Sequence, residues 1–169
     1  MKNVVIETDR FLLRSLIETD VNAHYLAWLN DPIKNQYVVF SSQKHSIEEI
    51  KNFVSQRLDD DSVMFLGIFM IEGGNHIGNI KYEPIDYSNS VATMGILIGE
   101  SNWRGKGVAG EVIKASAKFL KKKFGIKYIN LVVNKNNIAA IKAYEKIGFL
   151  LKKIDNIKSD DEFYMEYRI

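Results

Sequence analysis

The chain has 169 residues, of which 46% are hydrophobic and 26% charged, with two Pro, eleven Gly and no Cys. This composition favours one folded domain over residues 1–169 and excludes disorder, a disulfide framework and a thiol nucleophile. The net charge of +2 argues against nucleic acid as the main partner. No apolar run approaches the roughly 20 residues of a membrane helix, so we expect a soluble, cytoplasmic protein with no membrane partner.

The first half of the chain predicts a long extended segment, two helices and a hairpin. Ser46 followed by Glu49 forms a capping box, which marks the start of the second helix. The segment Asp31-Pro32 cannot continue a helix and ends the first one. The predicted elements are a strand at 4–16, a helix at 20–30, a helix opening at 46 and hairpin strands at 62–71 and 76–82.

The second half predicts a β-turn-α-β unit between further strands. A polar loop at 84–90 precedes a strand at 91–98, and Gly148 ends the last helix. The later elements are a glycine-rich turn at 104–110, a helix to about 123, a strand at 128–133, a helix at 137–146 and strands at 149–154 and 162–169. This order indicates an α+β fold with a mixed, mostly antiparallel sheet of about seven strands.

The glycine-rich turn is the strongest candidate for a binding site. Gly105, Gly107 and Gly110 let the chain bend between a strand and a helix, with backbone N–H groups at the positive end of the helix dipole. Such a turn is typical of a phosphate site, and Arg104 and Lys106 add positive charge. The alternative is a sharp turn that binds nothing.

Three phosphate sites fit glycines of this kind. A dinucleotide site requires an acidic residue about 20 positions later, where the strand instead ends in Asn134. A nucleotide P-loop fails because Glu100 replaces its first glycine and Gly107 its magnesium-binding Ser or Thr. What remains is a diphosphate held by backbone amides, with no metal.

Two motifs then match a known family. Arg104, Gly107 and Ala109 fit [QR]-x-x-G-x-[GA], and a second motif, N-x-x-A-x-x-x-Y-x-x-x-G-F, is matched by Asn137, Ala140, Tyr144, Gly148 and Phe149. With both motifs in order, the chain resembles the GCN5-related N-acetyltransferase (GNAT) family. Residues 10–14 and 28–32 are similar to its RimJ/RimL-type branch.

The resemblance implies a GNAT-like sheet with helices on both faces and acetyl-CoA as co-substrate, without metal. The strand at 91–98 would pair with the pantetheine arm, and Tyr144 would act as general acid for the departing thiolate. A core aromatic is the alternative for Tyr144, and Asn137 is at least a helix cap. The implied cofactor-binding residues are Ile96, Leu97, Ile98, Arg104, Gly105, Lys106, Gly107, Val108, Ala109, Gly110, Asn134, Asn137, Ala140 and Tyr144.

The general base is not evident, because Thr93 stands where many family members carry Glu. Glu83, Asp86 and Glu100 are substitute candidates, with solvated surface acids as the alternative. An amine of low pKa would need no strong base. For the acceptor we expect Tyr37, Phe40, Tyr82 and Thr93 to line the pocket, although loop-anchoring aromatic residues would give the same pattern. His24, His45 and His76 show no ligand spacing.

We therefore predict an acetyl-CoA-dependent N-acetyltransferase acting on a primary amine. Residues 82–99 resemble amino-sugar and nucleotide-amino-sugar N-acetyltransferases, which favours a small amine of that kind. The alternatives are acetylation of a (ribosomal) protein N-terminus and a non-catalytic acyl-CoA-binding module. A homodimer is a candidate assembly.

Overall fold

A computed structural model describes residues 1–31, 44–153 and 160–169 and folds them into an eight-stranded sheet with helices on both faces. The strands are β1 Val5–Glu7, β2 Phe11–Ser15, β3 Met64–Met70, β4 His76–Asp86, β5 Val91–Ile98, β6 Tyr128–Asn134, β7 Leu150–Lys152 and β8 Glu162–Arg168. The helices are α1 Ala23–Leu29, α2 Ile47–Leu58, α3 Val108–Phe124 and α4 Ile138–Ile147. In the described ranges, no helix combines the length and apolarity that crossing a bilayer demands.

The strand order is β1-β2-β3-β4-β5-β6-β8-β7, and every pair is antiparallel except β5 with β6. This confirms the predicted α+β, mostly antiparallel sheet. The single parallel pair is the β-turn-α-β unit, with α3 as its crossover.

The prediction of one long first strand was wrong. The segment reverses between Glu7 and Leu12, which pair across the β1–β2 hairpin. Thr8 closes the reversal, because its hydroxyl accepts from the Phe11 amide at 2.9 Å and its backbone amide donates to the Phe11 carbonyl at 2.9 Å. This extra hairpin raises the strand count from seven to eight.

The predicted 84–90 loop was too long. Strand β4 continues to Asp86 through a register shift between Tyr82 and Ile85. The remaining turn is closed by Asp86, whose carboxylate accepts from the backbone and the side chain of Asn89 at 2.9 and 2.7 Å.

One face of the sheet is covered by α1 and α2. Tyr25, Trp28 and Leu29 of α1 are buried together with Ile50 and Val54 of α2. The capping box is confirmed, since Ser46 Oγ accepts from the Glu49 amide and Glu49 accepts from the Ser46 amide. The helix predicted from residue 20 begins at Ala23, because Asn22 caps it after a short 3₁₀ turn.

The other face is covered by α3 and α4. Val112, Ile113 and Leu120 of α3 are fully buried. They pack in the same core as Ile141 and Ile147 of α4. Helix α4 ends as predicted at Gly148, whose φ of 118° only glycine adopts readily.

Candidate functional site

Strands β5 and β6 separate after three paired positions. Their parallel register runs from Val91 opposite Tyr128 to Thr93 opposite Asn130 and then stops. Strand β5 continues to Ile98 while paired with β4 alone. Within the described ranges, the edge of β5 that faces β6 therefore lacks a strand partner from Met94 onward. Unpaired peptide groups on a strand edge can bind an extended, amide-containing ligand.

The glycine turn lies at the end of this open edge. Gly105 and Gly107 have φ values of 73° and 75°, in the left-handed region that favours glycine. The first intrahelical bond of α3 runs from the Glu111 amide to the Gly107 carbonyl at 3.2 Å. The amides of Val108, Ala109 and Gly110 thus precede the bonding ladder of the helix, in the position where helices bind anions.

The two predicted cations of the turn differ in their contacts. Arg104 Nε donates to the Ile98 carbonyl at 2.9 Å, so this side chain links the turn to the end of β5. Lys106 Nζ lies 5.4 Å from the centroid of the Trp103 ring. Gly105, Lys106 and Gly107 are all exposed and accessible to a ligand.

A contact that the sequence did not reveal joins this turn to the N-terminal hairpin. The Glu111 carboxylate accepts from the Thr8 hydroxyl at 2.7 Å, from the Arg10 amide at 3.0 Å and from Arg10 Nε at 2.7 Å. Arg10 Nη1 also donates to the Lys106 carbonyl at 3.1 Å. The sequence offered one indication that Arg10 has a role, because it belongs to the segment 10–14 that is similar to RimJ/RimL-type proteins.

Tyr144 lies on α4 close to the start of α3. A Cβ added at Gly110 would lie 3.9 Å from Ile147 Cγ1, and Tyr144 precedes Ile147 by about one helical turn. Its ring packs 5.6 Å from that of Phe149. Burial raises the pKa of Tyr144 to about 12, and within the described residues no hydrogen-bond partner for its hydroxyl is found. The hydroxyl is therefore protonated at neutral pH and available to donate.

Asn137 is confirmed as a helix cap, because its Oδ1 accepts from the Ala140 amide at 3.2 Å. Asn134, at the end of β6, accepts from the Asn136 amide at 2.9 Å through its own Oδ1. Contact of these residues with coenzyme A stays a prediction.

The structure places Glu83 beside Thr93. The β4 register shift lies between the pairs Tyr82–Met94 and Ile85–Ala92, so Glu83 and the following Pro84 lie opposite Thr93 across the strands. Its Oε2 lies 2.5 Å from Lys81 Nζ and 3.0 Å from Arg57 Nε of α2. Burial alone would raise the pKa of Glu83, but these two cations outweigh it and hold that pKa below its ordinary value. Glu83 is thus ionised at neutral pH.

Glu100 occupies a different part of the molecule. It follows Thr93 by seven positions, about 20 Å along an extended chain, and lies near the glycine turn. Its Oε1 accepts from Trp28 Nε1 at 2.9 Å and lies 2.5 Å from His24 Nε2. The structure therefore does not bring Glu83 and Glu100 together. Of the three candidate carboxylates only Glu83 lies opposite Thr93, because Asp86 is opposite Val91 and bonds to Asn89 in the turn.

Of the predicted acceptor residues, Tyr82 is misassigned. It has no exposed surface, and its hydroxyl lies 2.7 Å from Ser116 Oγ in the core beneath α3. Thr93 is half-buried. It lies four positions before Leu97 on β5, so both side chains are on the same face of the sheet, and Leu97 packs against the buried residues of α1 and α2 there. Tyr37 and Phe40 lie outside the described residues.

A cavity of about 1080 Å³ lies beside α1, and Glu100 and Trp103 are among the residues that line it. Two of its charged side chains pair with each other, because Arg14 makes two hydrogen bonds of 2.7 and 2.6 Å to the Asp20 carboxylate. His76 Nε2 contacts two acceptor oxygens, and burial lowers the pKa of His76. The cavity lining does not include the unpaired edge of β5. Among the described residues, no group of His, Asp or Glu side chains is arranged to hold a metal ion.

These features, a strand edge opened by β5 and β6 and a glycine turn that begins α3, are those of an acetyltransferase. Residues 10–150 match the family model described as "Acetyltransferase (GNAT) domain". The chain therefore belongs to the GNAT acetyltransferase family.

Individual comparisons agree with this assignment. Over 147 residues the chain is 26% identical to the "Uncharacterized N-acetyltransferase YoaA" of Bacillus subtilis (strain 168), covering 86% of this chain and 82% of that protein. Among solved structures it is similar to RimL, a ribosomal L7/L12 alpha-N-protein acetyltransferase in complex with coenzyme A (TM-score 0.85, 18% identity, 98% of each chain). It is also similar to the microcin C7 self-immunity acetyltransferase MccE in complex with acetyl-CoA and AMP (TM-score 0.80, 19% identity, 95% and 93% of the chains).

The family assigns the chemistry at a coarse level. The protein is an N-acetyltransferase that uses acetyl-CoA as co-substrate. Among the alternatives that the sequence left open, this excludes the non-catalytic acyl-CoA-binding module.

Proposed function

We propose that residues 1–169 act as one GNAT-type domain that moves the acetyl group directly to the primary amine of a small molecule. The observation that carries this proposal is the open β5 edge, which runs from Met94 to Ile98 and is followed by the glycine turn. The pantetheine arm would pair along residues 96–98, and the diphosphate would bind the amides of 105–110. Cations and helix N-terminal amides are the expected ligands of a diphosphate.

Tyr144 is the proposed general acid. Its hydroxyl is protonated at neutral pH, so it can donate a proton to the sulfur as the thiolate leaves. The amine must attack as the neutral form. Glu83, directly or through water, is the proposed acceptor of its proton, because it is ionised and lies across from Thr93.

The charges around Glu83 support the proposed class of acceptor. Two cations, Lys81 and Arg57, face this one carboxylate, and Arg57 also stacks 3.4 Å from the Phe53 ring centroid. A polyamine would meet net positive charge there. An amine that carries its own phosphate groups would be attracted, which favours a nucleotide-linked amino sugar. The similar structure of MccE is a complex with AMP as well as acetyl-CoA, which is consistent with a nucleotide-containing acceptor.

The second candidate is acetylation of a protein N-terminus by a RimJ/RimL-type enzyme. It is supported by the similarity to RimL over 98% of each chain. A peptide acceptor would need an open surface beside the β5–β6 opening, and Val132 of β6 is 51% exposed there.

A coenzyme A release assay tests these candidates. The purified chain is incubated with acetyl-CoA and, separately, a nucleotide-linked amino sugar, the free amino sugar, spermidine and N-terminal peptides. We expect the nucleotide-linked amino sugar to have the highest kcat/KM, and Arg57→Gln to lower that value while Lys152→Gln, distant on β7, does not. Preference for a peptide would select the second candidate, and preference for spermidine would refute the charge argument.

A further inference from the structure

We propose that Arg10 is a positioning residue for co-substrate binding: it fixes the glycine turn so that its amides face the diphosphate of acetyl-CoA. The inference rests on the proposed use of that turn. It adds a residue outside both family motifs, on the N-terminal hairpin.

Arg10 contacts the turn on both sides of Gly107. Its Nη1 donates to the Lys106 carbonyl at 3.1 Å, and its Nε donates to Glu111 Oε2 at 2.7 Å. Its own amide donates to Glu111 Oε1 at 3.0 Å. Lys106 immediately precedes Gly107, and Glu111 lies in the first turn of α3. A single guanidinium therefore links the last residue of the loop to the beginning of the helix.

The contact with the Lys106 carbonyl sets the direction of the next amide. In a trans peptide unit the C=O and N–H bonds point in opposite directions. When Arg10 binds the Lys106 oxygen on the hairpin side, the Gly107 N–H must point away from the hairpin, toward the exposed side of the turn. Gly107 itself, at φ 75°, would otherwise be free to sample other orientations.

The contact with Glu111 controls charge. A carboxylate in the first turn of a helix stabilises the helix but repels an anionic ligand at the same place. Arg10 and the Thr8 hydroxyl hold the Glu111 carboxylate against the hairpin, and the guanidinium offsets its charge. The helix N-terminus thereby keeps its attraction for phosphate.

Binding measurements separate this role from a purely structural one. Wild type, Arg10→Gln and the control Lys152→Gln are titrated with coenzyme A by calorimetry, and with pantetheine, which lacks the diphosphate, by NMR. We expect Arg10→Gln to weaken coenzyme A binding at least tenfold, about 1.4 kcal/mol, and to leave pantetheine binding within twofold of wild type. The KM for acetyl-CoA should rise while kcat changes little.

The charge-preserving variant completes the test. Arg10→Lys keeps the positive charge but has one head group, which cannot reach both Lys106 and Glu111, so it should also lose coenzyme A affinity selectively. This variant is used alone if Arg10→Gln does not fold. Unchanged coenzyme A affinity in a folded variant, or equal loss for both ligands, would overturn the inference. Failure of the wild type to bind coenzyme A would instead overturn the proposed function.

Discussion

Two glycines allow the role of the turn to be separated from the strain of its backbone. Gly105 has φ 73° and Gly74, in the β3–β4 turn, has φ 66°. A Cβ at either position would meet no atom within 4 Å. Replacing each with Ala therefore imposes the same backbone strain and no steric overlap, but only Gly105 lies where the diphosphate would bind.

We expect Gly105→Ala and Gly74→Ala to lower the free energy of unfolding by a similar, small amount. The left-handed conformation costs a non-glycine residue about 1–2 kcal/mol, and the lower entropy of the unfolded chain returns about 0.4–1 kcal/mol. The net loss of roughly 1 kcal/mol corresponds to a fall in Tm of about 2–4 °C for a chain of this size. Calorimetric melting without ligand should give similar values for Gly105→Ala and Gly74→Ala.

In contrast, we expect only Gly105→Ala to weaken the binding of coenzyme A. The methyl group that Gly105→Ala introduces would stand on the exposed side of the turn, so this substitution should raise the Kd for coenzyme A about tenfold, or 1.4 kcal/mol. Gly74→Ala should leave that Kd unchanged. Titration calorimetry on both variants decides the matter, and equal coenzyme A affinities would refute the assignment of the diphosphate to this turn.

Three further predictions concern catalysis, the core and acid stability. Tyr144→Phe should lower kcat about 100-fold, the scale of a lost general acid, and leave the Kd for coenzyme A unchanged; steady-state kinetics that match the wild type would remove Tyr144 from the mechanism. Ser116→Ala should lower the free energy of unfolding by about 1–3 kcal/mol, because it leaves the buried Tyr82 hydroxyl without that partner, and adding Tyr82→Phe should recover much of the loss in urea titrations. Additive losses in the double variant would contradict the coupling. Burial opposes ionisation of Asp20, but Arg14 outweighs it and lowers the pKa of Asp20 below 3.8. The ion pair therefore stabilises the fold above that value and loses its contribution as the pH falls through the lowered pKa. Asp20→Asn should be less stable than wild type at pH 7 and approach it at pH 2, and a pH-independent difference would argue against the ion pair.

Local patterns predicted most elements, since each carried its own signal. Strand β5 matches its predicted range, and the caps at Ser46, Asn137 and Gly148 were visible as single residues in fixed spacing. The reversal at Thr8 was missed because it contains neither Gly nor Pro and is closed in part by the Thr8 side chain.

The misassignment of Tyr82 was avoidable. Lys81 and Glu83 flank it, so the two-residue period of a strand places both charges on one face and the tyrosine on the other. The lone Ser116 on the apolar face of α3 was the second signal, because a buried hydroxyl requires a partner.

The contacts around Arg10 could not be read from the sequence in the same way. Arg10 and Glu111 are separated by 101 positions, and nothing local to either residue indicates the other. The separation of Glu83 from Glu100 likewise cannot be recognised until the pairing of β5 with β4 is known. Local sequence patterns therefore predict individual helices and strands, whereas contacts between residues far apart in the sequence become visible only in the folded structure.

The parting of β5 and β6 also has a kinetic consequence. Under the proposed function, the glycine turn that begins α3 would hold the donor, while the acceptor would reach the same opening from the side of Glu83 and α2. Neither molecule has to depart before its counterpart arrives, and no side chain has to carry the acyl group in between. We therefore expect a ternary complex and intersecting lines in double-reciprocal plots, rather than the parallel lines of a ping-pong scheme.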